Sequence, residues 1–308
     1  GFIDQMRAKG HAVESICRVL RQEGCQIAAR TYRAWRRRSA SARDTSDAVL
    51  LNVLHDLVGT PEGLYGRRKM TAWLRREGHQ VGAGRVDRLM RVAGMNGVRR
   101  GRPVRTTVPA KDGCRAGDLL NRDFTAAAPN TKWVADFTYV RTWAGFVYVA
   151  FVLDCYSQRI LAWHAATAKT TPLVLTPLRI ALWDRDRHGH PVQPGELIAH
   201  SDAGSQYTSL RFAEHLAAEG IAASIGTVAD AYDNALMECV IGLYKTECIT
   251  TTIFHNGPYK TIADVEYATA GWVEWYNNRR LHSSLAMTTP AEYETAYYAA
   301  LNRELAPT

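Results

Sequence analysis

The sequence predicts an α/β protein in which a mixed sheet is flanked by helices and preceded by small all-α modules. The pattern changes at Lys132 from helical periodicity to runs of β-branched and aromatic residues. Strand and helix patterns then follow one another in the order βββαβαβα. The two parts also differ in charge, because residues 1–128 hold 25 Lys and Arg against 12 Asp and Glu, whereas residues 129–308 hold 13 against 18. A basic helical part joined to an acidic α/β part favours a nucleic-acid-binding region attached to a carboxylate-rich one.

The basic part is predicted to contain two helical modules, at 1–43 and 44–100, followed by a basic linker at 101–128. In the first module a break at Gly24 separates an apolar helix from one that carries Tyr32 and Trp35 among arginines. In the second, an apolar stripe from Val49 to Val58 precedes two short arginine-rich helices. Both modules resemble helix-turn-helix units, although a small bundle with a solvated basic face fits the same pattern. The predicted DNA contacts are Arg36, Arg37, Arg38, Arg67, Arg68, Lys69, Arg85, Arg88, Arg99, Arg100 and Arg102.

Composition narrows the class of protein. No apolar run is long enough to span a bilayer, and no secretory signal pattern opens the sequence. The six cysteines show neither a CxxC pair nor a zinc-ligand spacing, so we expect reduced thiols in a cytoplasmic protein.

The acidic part is predicted to form a catalytic core at 129–255 with a helical extension at 256–308. Strand patterns occur in KWVADFTYV, FVYVAFVLDCYS and RILAWHA, and a helix pattern follows from Thr171 to Trp183. A short strand ends near Ala199, a helix begins near Leu210, and the strand IAASI precedes a helix that begins after Asp233. This order of elements is that of a ribonuclease-H-like fold.

Two aspartates occupy positions that favour function. Asp136 lies inside the first apolar strand, where burial is costly unless the carboxylate is paired or binds a cation. Asp202 follows a short buried strand and enters a turn of small residues, which is a suitable place for a metal ion or a phosphate. A solvent-facing strand residue and an ordinary helix N-cap are the respective alternatives.

The helix DNALMECVIGLYKTE carries a third carboxylate, Glu238. At about 100° per residue, an apolar stripe of Leu236, Val240 and Leu243 is predicted to be buried. Asn234, Glu238 and Lys245 share the opposite face. From periodicity alone, a solvated helix face is the better explanation of this pattern, because Glu and Lys are the commonest residues there.

Sequence motifs distinguish between these alternatives. WVADFTYV surrounds Asp136, HSDAGSQYTS surrounds Asp202, and thirty-five residues separate Asp202 from Glu238. With the tail YNNRRLHSSLAMTTPAEY, these motifs resemble the DDE transposase and retroviral-integrase superfamily. The similarity is closest to second-reading-frame transposases of bacterial insertion sequences that use frameshifting. One departure is the Cys239–Val240 pair after the glutamate, where the family more often has Asn and Phe.

The resemblance implies that Asp136, Asp202 and Glu238 hold two Mg²⁺ ions, with Mn²⁺ as a substitute, in a site that nicks DNA and transfers strands. It also implies a circular intermediate, binding to terminal inverted repeats and target DNA, a homo-oligomer, and a place near the bacterial nucleoid. Fusion to an upstream-frame DNA-binding protein is a further implied possibility. Lys245 and Asn234 are expected to contact DNA. An inactive DNA-binding regulator and a nuclease for RNA–DNA hybrids remain alternatives.

Asp154 and four histidines are further candidates for functional or structural roles. Asp154 resembles a family position and is expected to support a turn. His188 and His190 are expected to be solvated. His200 and His282 lie in family-like motifs, and contact with DNA or with the catalytic carboxylates is left open.

Overall fold

The computed structural model describes residues 1–99, 120, 123–201, 207, 209–225 and 234–305, without the side chains of 210, 211, 304 and 305. These residues form two compact units, 1–53 and 54–308. The five cysteines that fall in these ranges are free thiols. In the same ranges no helix combines the length and the apolar character needed to cross a membrane.

The first unit is helical. Helices α1 (Phe2–Ala8), α2 (Val13–Gln22) and α3 (Ala29–Arg37) surround a small core of Ile3, Ile16, Cys17 and Tyr32. The Tyr32 hydroxyl donates to Oδ1 of Asp4 over 2.6 Å, which joins α3 to α1. The end of α3 leaves a run of arginines and Trp35 exposed, the latter by 65%. Such a helix has the basic and aromatic surface that DNA-binding helices use.

Three helices open the second unit. Helix α4 (Ala42–Asp56) begins before the unit boundary, and α5 (Arg67–Arg76) and α6 (Ala83–Val92) follow. Leu54 near the end of α4, Met70 and Leu74 of α5, and Val86 and Leu89 of α6 are buried, and α5 packs on α6. The predicted apolar stripe after Val49 is therefore only partly buried, because Val49 and Val58 are exposed while Leu54 is buried completely.

A five-stranded mixed sheet forms the centre of the second unit. The strands are β1 (Lys132–Thr142), β2 (Gly145–Asp154), β3 (Ile160–Ala166), β4 (Ile198–Ser201) and β5 (Ala222–Ile225). Their order across the sheet is β3-β2-β1-β4-β5, antiparallel on the β2 and β3 side and parallel on the β4 and β5 side. The prediction of a ribonuclease-H-like order of elements is confirmed.

Helices cover both faces of this sheet. Helices α7 (Thr171–Arg187) and α8 (Leu210–Ala218) pack on the face that contains Trp133 and Val152. Helix α9 (Ala235–Leu243), a π-helical turn (Tyr244–Ile249) and α10 (Ile262–Asn278) lie on the other face. There Phe151 makes edge-to-face contacts with Tyr244 and Trp272, with ring centroids 5.1 and 6.1 Å apart. Aromatic packing of this kind fixes the position of the π-helical turn against the sheet.

The C-terminal helix α11 (Pro290–Leu305) is joined to the sheet by buried charges. Arg185 of α7 is 1% exposed and pairs with both oxygens of Glu294 and with Asp154. Arg159 and Ser157 also donate to Glu294, each over 2.9 Å. A buried network with this many hydrogen bonds is costly to break, because removing one member leaves its partners unpaired.

The segment between α4 and α5 contacts the C-terminal part of the second unit. The indole N–H of Trp275 donates to Glu62 over 2.9 Å, and the ring of Trp275 stacks on Tyr65 at 6.1 Å. The backbone N–H of Leu281 donates to the Tyr65 hydroxyl over 3.0 Å. The segment before α5 is therefore part of the same packed body as α10.

Candidate active site

Asp136 lies in the middle of β1, opposite Phe151 of β2. Its side chain is half-buried, and Oδ1 accepts a 2.7 Å hydrogen bond from the backbone N–H of Phe137. This bond holds the carboxylate in one orientation. The aspartate is thus neither a solvated surface residue nor a fully buried one, which suits a group that meets a ligand from solvent.

Strand β4 ends beside Asp136. Ser201, its last residue, pairs with Ala135, the residue before Asp136. The segment that contains the predicted Asp202 begins immediately after Ser201, and Asp202 itself lies outside the described residues. Because β4 pairs with β1 in parallel, the chain enters the motif of Asp202 beside the residue that precedes Asp136.

The helix that carries Glu238 is joined to the same point of β1. The side-chain amide of Asn234, the N-cap of α9, donates to the carbonyl oxygen of Ala135 over 3.2 Å. One turn later, the backbone N–H of Glu238 donates to the carbonyl of Asn234 over 3.0 Å. Glu238 is exposed, so its carboxylate is accessible to a ligand. These two hydrogen bonds position Glu238 relative to Asp136.

The predicted buried face of this helix is partly wrong. The buried positions are Met237, Val240, Tyr244 and Cys248, whereas Leu236 and Leu243 are only half-buried. The buried positions keep a helical spacing of three and four residues but are centred on Met237 and Tyr244 rather than on Leu236 and Leu243, and hydrogen bonding changes to the π-helical pattern from Tyr244 onward. Packing of Tyr244 on Phe151, which is distant in sequence, stabilises this change.

Asn234 also differs from its prediction. It is 7% exposed and held against β1, so the shared outer face with Glu238 and Lys245 does not exist as expected. Its carbonyl oxygen Oδ1 is buried and has no hydrogen-bond partner within the described residues. A buried oxygen without a donor, close to Asp136, is an unusual feature that calls for a ligand or a solvent partner.

Lys245 lies close to the first carboxylate. Its ammonium nitrogen is 5.0 Å from the ring centroid of Tyr139, three residues after Asp136 on β1. Burial lowers the pKa of Lys245, and the negative charge of Asp136 opposes that shift. The prediction that Lys245 contacts DNA is untested, but the structure places its charge at the open side of β1.

Three of the further candidates, Asp154, His200 and His282, form hydrogen bonds within the protein. Asp154 is completely buried and accepts hydrogen bonds from the backbone of Asn130, Tyr156 and Ser157, so its support of the turn is confirmed. His200 is 1% exposed and shares a 2.8 Å hydrogen bond with Ser224 of β5.

His282 is likewise buried, and burial together with nearby Arg280 lowers its pKa well below the usual value. His188 is exposed as expected. The expectation for His190 is wrong, because its ring stacks on Tyr298 at 3.6 Å.

The predicted DNA-contacting side chains of the basic part fall into four groups. Arg36, Arg37, Arg38, Arg67, Arg68 and Arg99 are exposed, and Arg85 and Arg88 are half-buried. Arg100 and Arg102 lie outside the described residues. Lys69 does not face solvent as expected, because it lines a cavity of about 190 Å³ with Tyr65 and Arg280. Its ammonium nitrogen lies 5.7 Å from the Tyr65 ring centroid.

The side chains that the site offers to a metal ion are oxygen ligands. Asp136, Glu238 and the buried Oδ1 of Asn234 would present carboxylate and amide oxygens, which hard divalent cations prefer. Within the residues that the structure describes, no three His, Cys, Asp or Glu side chains are grouped closely enough to hold a metal ion. The third predicted carboxylate is not among those residues.

Comparisons with known proteins agree with this architecture. Models of the integrase core domain match residues 126–231 and 219–290, and a model of an HTH-like domain matches residues 49–103. The chain is 45% identical over 280 residues to the "Putative transposase for insertion sequence element IS986/IS6110" of Mycobacterium tuberculosis, covering 91% of this chain and 99% of that protein. The chain belongs to the IS3 family of insertion-sequence transposases. This transposase is also 44% identical over 264 residues to the transposase for insertion sequence element IS629 of Shigella sonnei, covering 86% of this chain and 85% of that one.

Among solved structures, the transposase is similar to the catalytic core domain of HTLV-2 integrase in complex with magnesium. The identity is 16%, the match covers 55% of this chain and 98% of that chain, and the TM-score is 0.40. The predicted family is confirmed by the relatives and by the integrase core match, and with it the assignment as a DNA transposase with a helix-turn-helix-like module.

Proposed function

We propose that this transposase nicks the ends of its insertion sequence to expose 3′-hydroxyls and joins them to a second strand, with Asp136, Asp202 and Glu238 as the catalytic carboxylates. The observation that carries the proposal is the contact between Asn234 and Ala135. It positions the helix of Glu238 beside the strand of Asp136. Asp202 enters the proposal through its motif and through the pairing of Ser201 with Ala135.

The donor set supports a magnesium site. Asp136 is half-buried and Glu238 is exposed. The buried Oδ1 of Asn234 accepts no hydrogen bond from the described residues. Two bound Mg²⁺ ions, which Mn²⁺ would replace, would supply activation of the attacking hydroxyl and stabilisation of the leaving oxygen. No Ser, Tyr or Cys nucleophile is required, because water or a DNA 3′-hydroxyl attacks the phosphorus directly.

The protein's own side chains orient this reaction. The backbone N–H of Phe137 holds one carboxylate oxygen of Asp136, so little reorganisation is needed when DNA arrives. Lys245, beside Asp136, would bind a phosphate of the strand being cut and would keep its proton throughout. Its position over Tyr139 holds a flexible side chain on the open side of β1.

The basic helices would hold the DNA that the core cuts. The exposed arginines at the end of α3 and the start of α5 would neutralise phosphates of the terminal inverted repeat and of the target. We further propose a dimer or larger assembly and a circular intermediate, because two element ends must be held together for joining. Action as a fusion with an upstream-frame DNA-binding protein is compatible with this arrangement.

The test is a cleavage and joining assay with the full chain. The substrate is a labelled duplex that carries the DNA sequence flanking the gene, with Mg²⁺ or Mn²⁺. The wild type should produce a nick with a free 3′-hydroxyl and a joined product, and Asp136→Ala, Asp202→Ala and Glu238→Ala should produce neither. DNA affinity in a gel shift should change by no more than about twofold, because the basic helices are unaltered.

Glu266→Ala is the matched control, because Glu266 is an exposed carboxylate on α10. This variant should cut like the wild type. Cleavage by any of the three alanine variants at the wild-type rate would overturn the assignment of that residue. Binding without cleavage by the wild type would instead favour a DNA-binding regulator, and cleavage restricted to an RNA–DNA hybrid would favour a nuclease.

A further inference from the structure

Aromatic rings are exposed along the part of the β1–β2 hairpin that lies beyond Asp136. Tyr139, Trp143 and Phe146 are 41%, 73% and 51% exposed, although they belong to the central strands of the sheet or to the turn that joins them. The rings of Tyr139 and Phe146 meet edge to face with centroids 5.3 Å apart. We call these three residues the hairpin platform.

The hairpin is accessible because its neighbouring strand is short. β4 pairs with β1 only from Lys132 to Ala135, whereas β1 continues to Thr142. From Asp136 onward β1 extends past the described pairing with β4, and beyond Tyr148, where the pairing of β2 with β3 also ends, the hairpin is two-stranded. Tyr139 is three residues beyond Asp136, which is about 10 Å along a strand, and this odd separation places its side chain on the opposite face of the sheet.

Cations accompany the aromatic rings. Lys245 lies 5.0 Å from the ring centroid of Tyr139, and Lys260 lies 5.5 Å from that of Trp143. Arg141, between the two aromatic residues, is exposed. Alternating aromatic rings and cations, with no acidic side chain in β1 beyond Asp136, are complementary to bases and phosphates of a nucleic acid strand.

The platform is held rigidly. The backbone N–H groups of Trp143 and Ala144 donate to the carbonyls of Tyr259 and Lys260, each over 3.0 Å. The Tyr259 hydroxyl in turn donates to the carbonyl of Cys248 in the π-helical turn. A surface fixed in this way loses little conformational freedom on binding, which favours affinity.

We propose that the hairpin platform binds unpaired bases of the DNA strand next to the scissile phosphate. Bases within a duplex have both faces covered by their neighbours, so an exposed ring stacks only on a base that has left the helix. The 10 Å along β1 from Asp136 corresponds to about three steps of base rise, and the DNA strand would pass over the edge of β1 beyond the described pairing with β4. Lys245 and Lys260 would then bind the phosphates between those bases.

This inference rests on the proposed function for the position of the scissile phosphate, but its test requires no cleavage. The probe is a duplex with a single-stranded tail of three nucleotides, in which 2-aminopurine replaces one tail base. It is compared with a blunt duplex of the same sequence, with Ca²⁺ in place of Mg²⁺. The wild type should bind the tailed duplex more tightly and quench the 2-aminopurine fluorescence, because stacking on an aromatic ring quenches it.

Substitution of the platform should remove this preference. Phe146→Ala and Trp143→Ala should weaken binding of the tailed duplex by about 5- to 150-fold for each lost stack, and leave the blunt duplex unaffected. Tyr139→Phe should retain the quenching because the ring remains. Tyr267→Ala is the matched control, since Tyr267 is 74% exposed on α10, away from the hairpin.

Two results would overturn the inference. One is a wild type that binds tailed and blunt duplexes equally, and the other is a set of platform variants with an unchanged preference. If the variants instead convert a dimer into a monomer in sedimentation and keep the preference for the tail, the platform is a subunit interface and the inference fails. Cleavage of element ends by the wild type would still support the proposed function in each case.

Discussion

The side-chain amide of Asn234 donates to the carbonyl oxygen of Ala135 over 3.2 Å, and this bond joins the helix of Glu238 to the strand of Asp136. The two motifs are about a hundred residues apart in the sequence, yet the contact involves the N-cap of one element and the residue before the carboxylate of the other. The geometry of the candidate site therefore depends on a residue that is not itself one of the three carboxylates.

Replacing this amide tests its positioning role. Asn234→Ala should lower the rate of nicking by about 10- to 100-fold, because small displacements of catalytic groups are costly. It should also raise the Mg²⁺ concentration needed for half-maximal rate, a change that a purely structural role would not produce. DNA affinity should remain as in the wild type. Asn278→Ala, an exposed asparagine at the end of α10, is the control, and an unchanged Mg²⁺ requirement for Asn234→Ala would contradict the role.

The charge of Lys245 should act on DNA rather than on a proton. Lys245→Ala should weaken binding of the cleaved end and lower the slope of log affinity against log salt by about one. Lys245→Arg should retain part of the joining activity, since the charge remains while the geometry changes. The measurement is a salt titration of binding with both variants and the wild type. Normal joining by Lys245→Ala at every salt concentration would identify an ordinary solvated lysine.

The cavity around Lys69 predicts a dependence of stability on pH. Burial, assisted by the positive charge of Arg280 and opposed by Glu247, lowers the pKa of Lys69 to about 7. Below pH 7 the folded and unfolded chains both hold the proton, and the full cost of burying the charge is present. Between about pH 7 and 10.5 the folded chain has lost the proton that the unfolded chain keeps, so the cost decreases and stability rises.

Lys69→Met should accordingly raise the free energy of unfolding by about 2–4 kcal/mol at pH 6, and this gain should fade toward pH 10. Urea denaturation at several pH values measures it. Lys169→Met, at an exposed lysine of the same unit, should show no such trend. A gain that is independent of pH would mean that Lys69 does not titrate in this range.

The buried network at α11 should matter more than an exposed ion pair on the same helix. Glu294→Ala leaves Arg185 buried without its main partner and should cost about 3–5 kcal/mol in unfolding free energy. Glu292→Ala breaks a pair with Arg76 in which both side chains are about 40% exposed, and should cost at most about 1 kcal/mol. Equal losses in urea denaturation would show that burial does not determine the cost.

Much of the fold could be predicted because its signals are local. Alternating β-branched residues mark β1 and β2, and the predicted helix starting at Thr171 begins at that residue in the structure. The carboxylate motifs are likewise recognisable from residue type and spacing. Features that depend on distant contacts could not be predicted in this way.

The π-helical turn at Tyr244 is one such feature, because its packing partner Phe151 is far away in the sequence. The burial of Asn234 and Lys69 is another, since both side chains are polar and both meet partners from other elements. The hairpin platform could not be predicted from the sequence, because apolar alternation does not show that β4 ends at Ser201 or that Tyr139 is exposed.

The central claim is that Asp136 and Glu238 belong to one metal site, and Mn²⁺ binding tests it most directly. Electron paramagnetic resonance would count the bound Mn²⁺ in a complex of the full chain with an uncleaved DNA end. The wild type and Glu266→Ala should bind the ion saturably and to the same extent. Asp136→Ala and Glu238→Ala should each lose that binding while still retaining the DNA. Wild-type Mn²⁺ binding in either alanine variant would contradict a shared site.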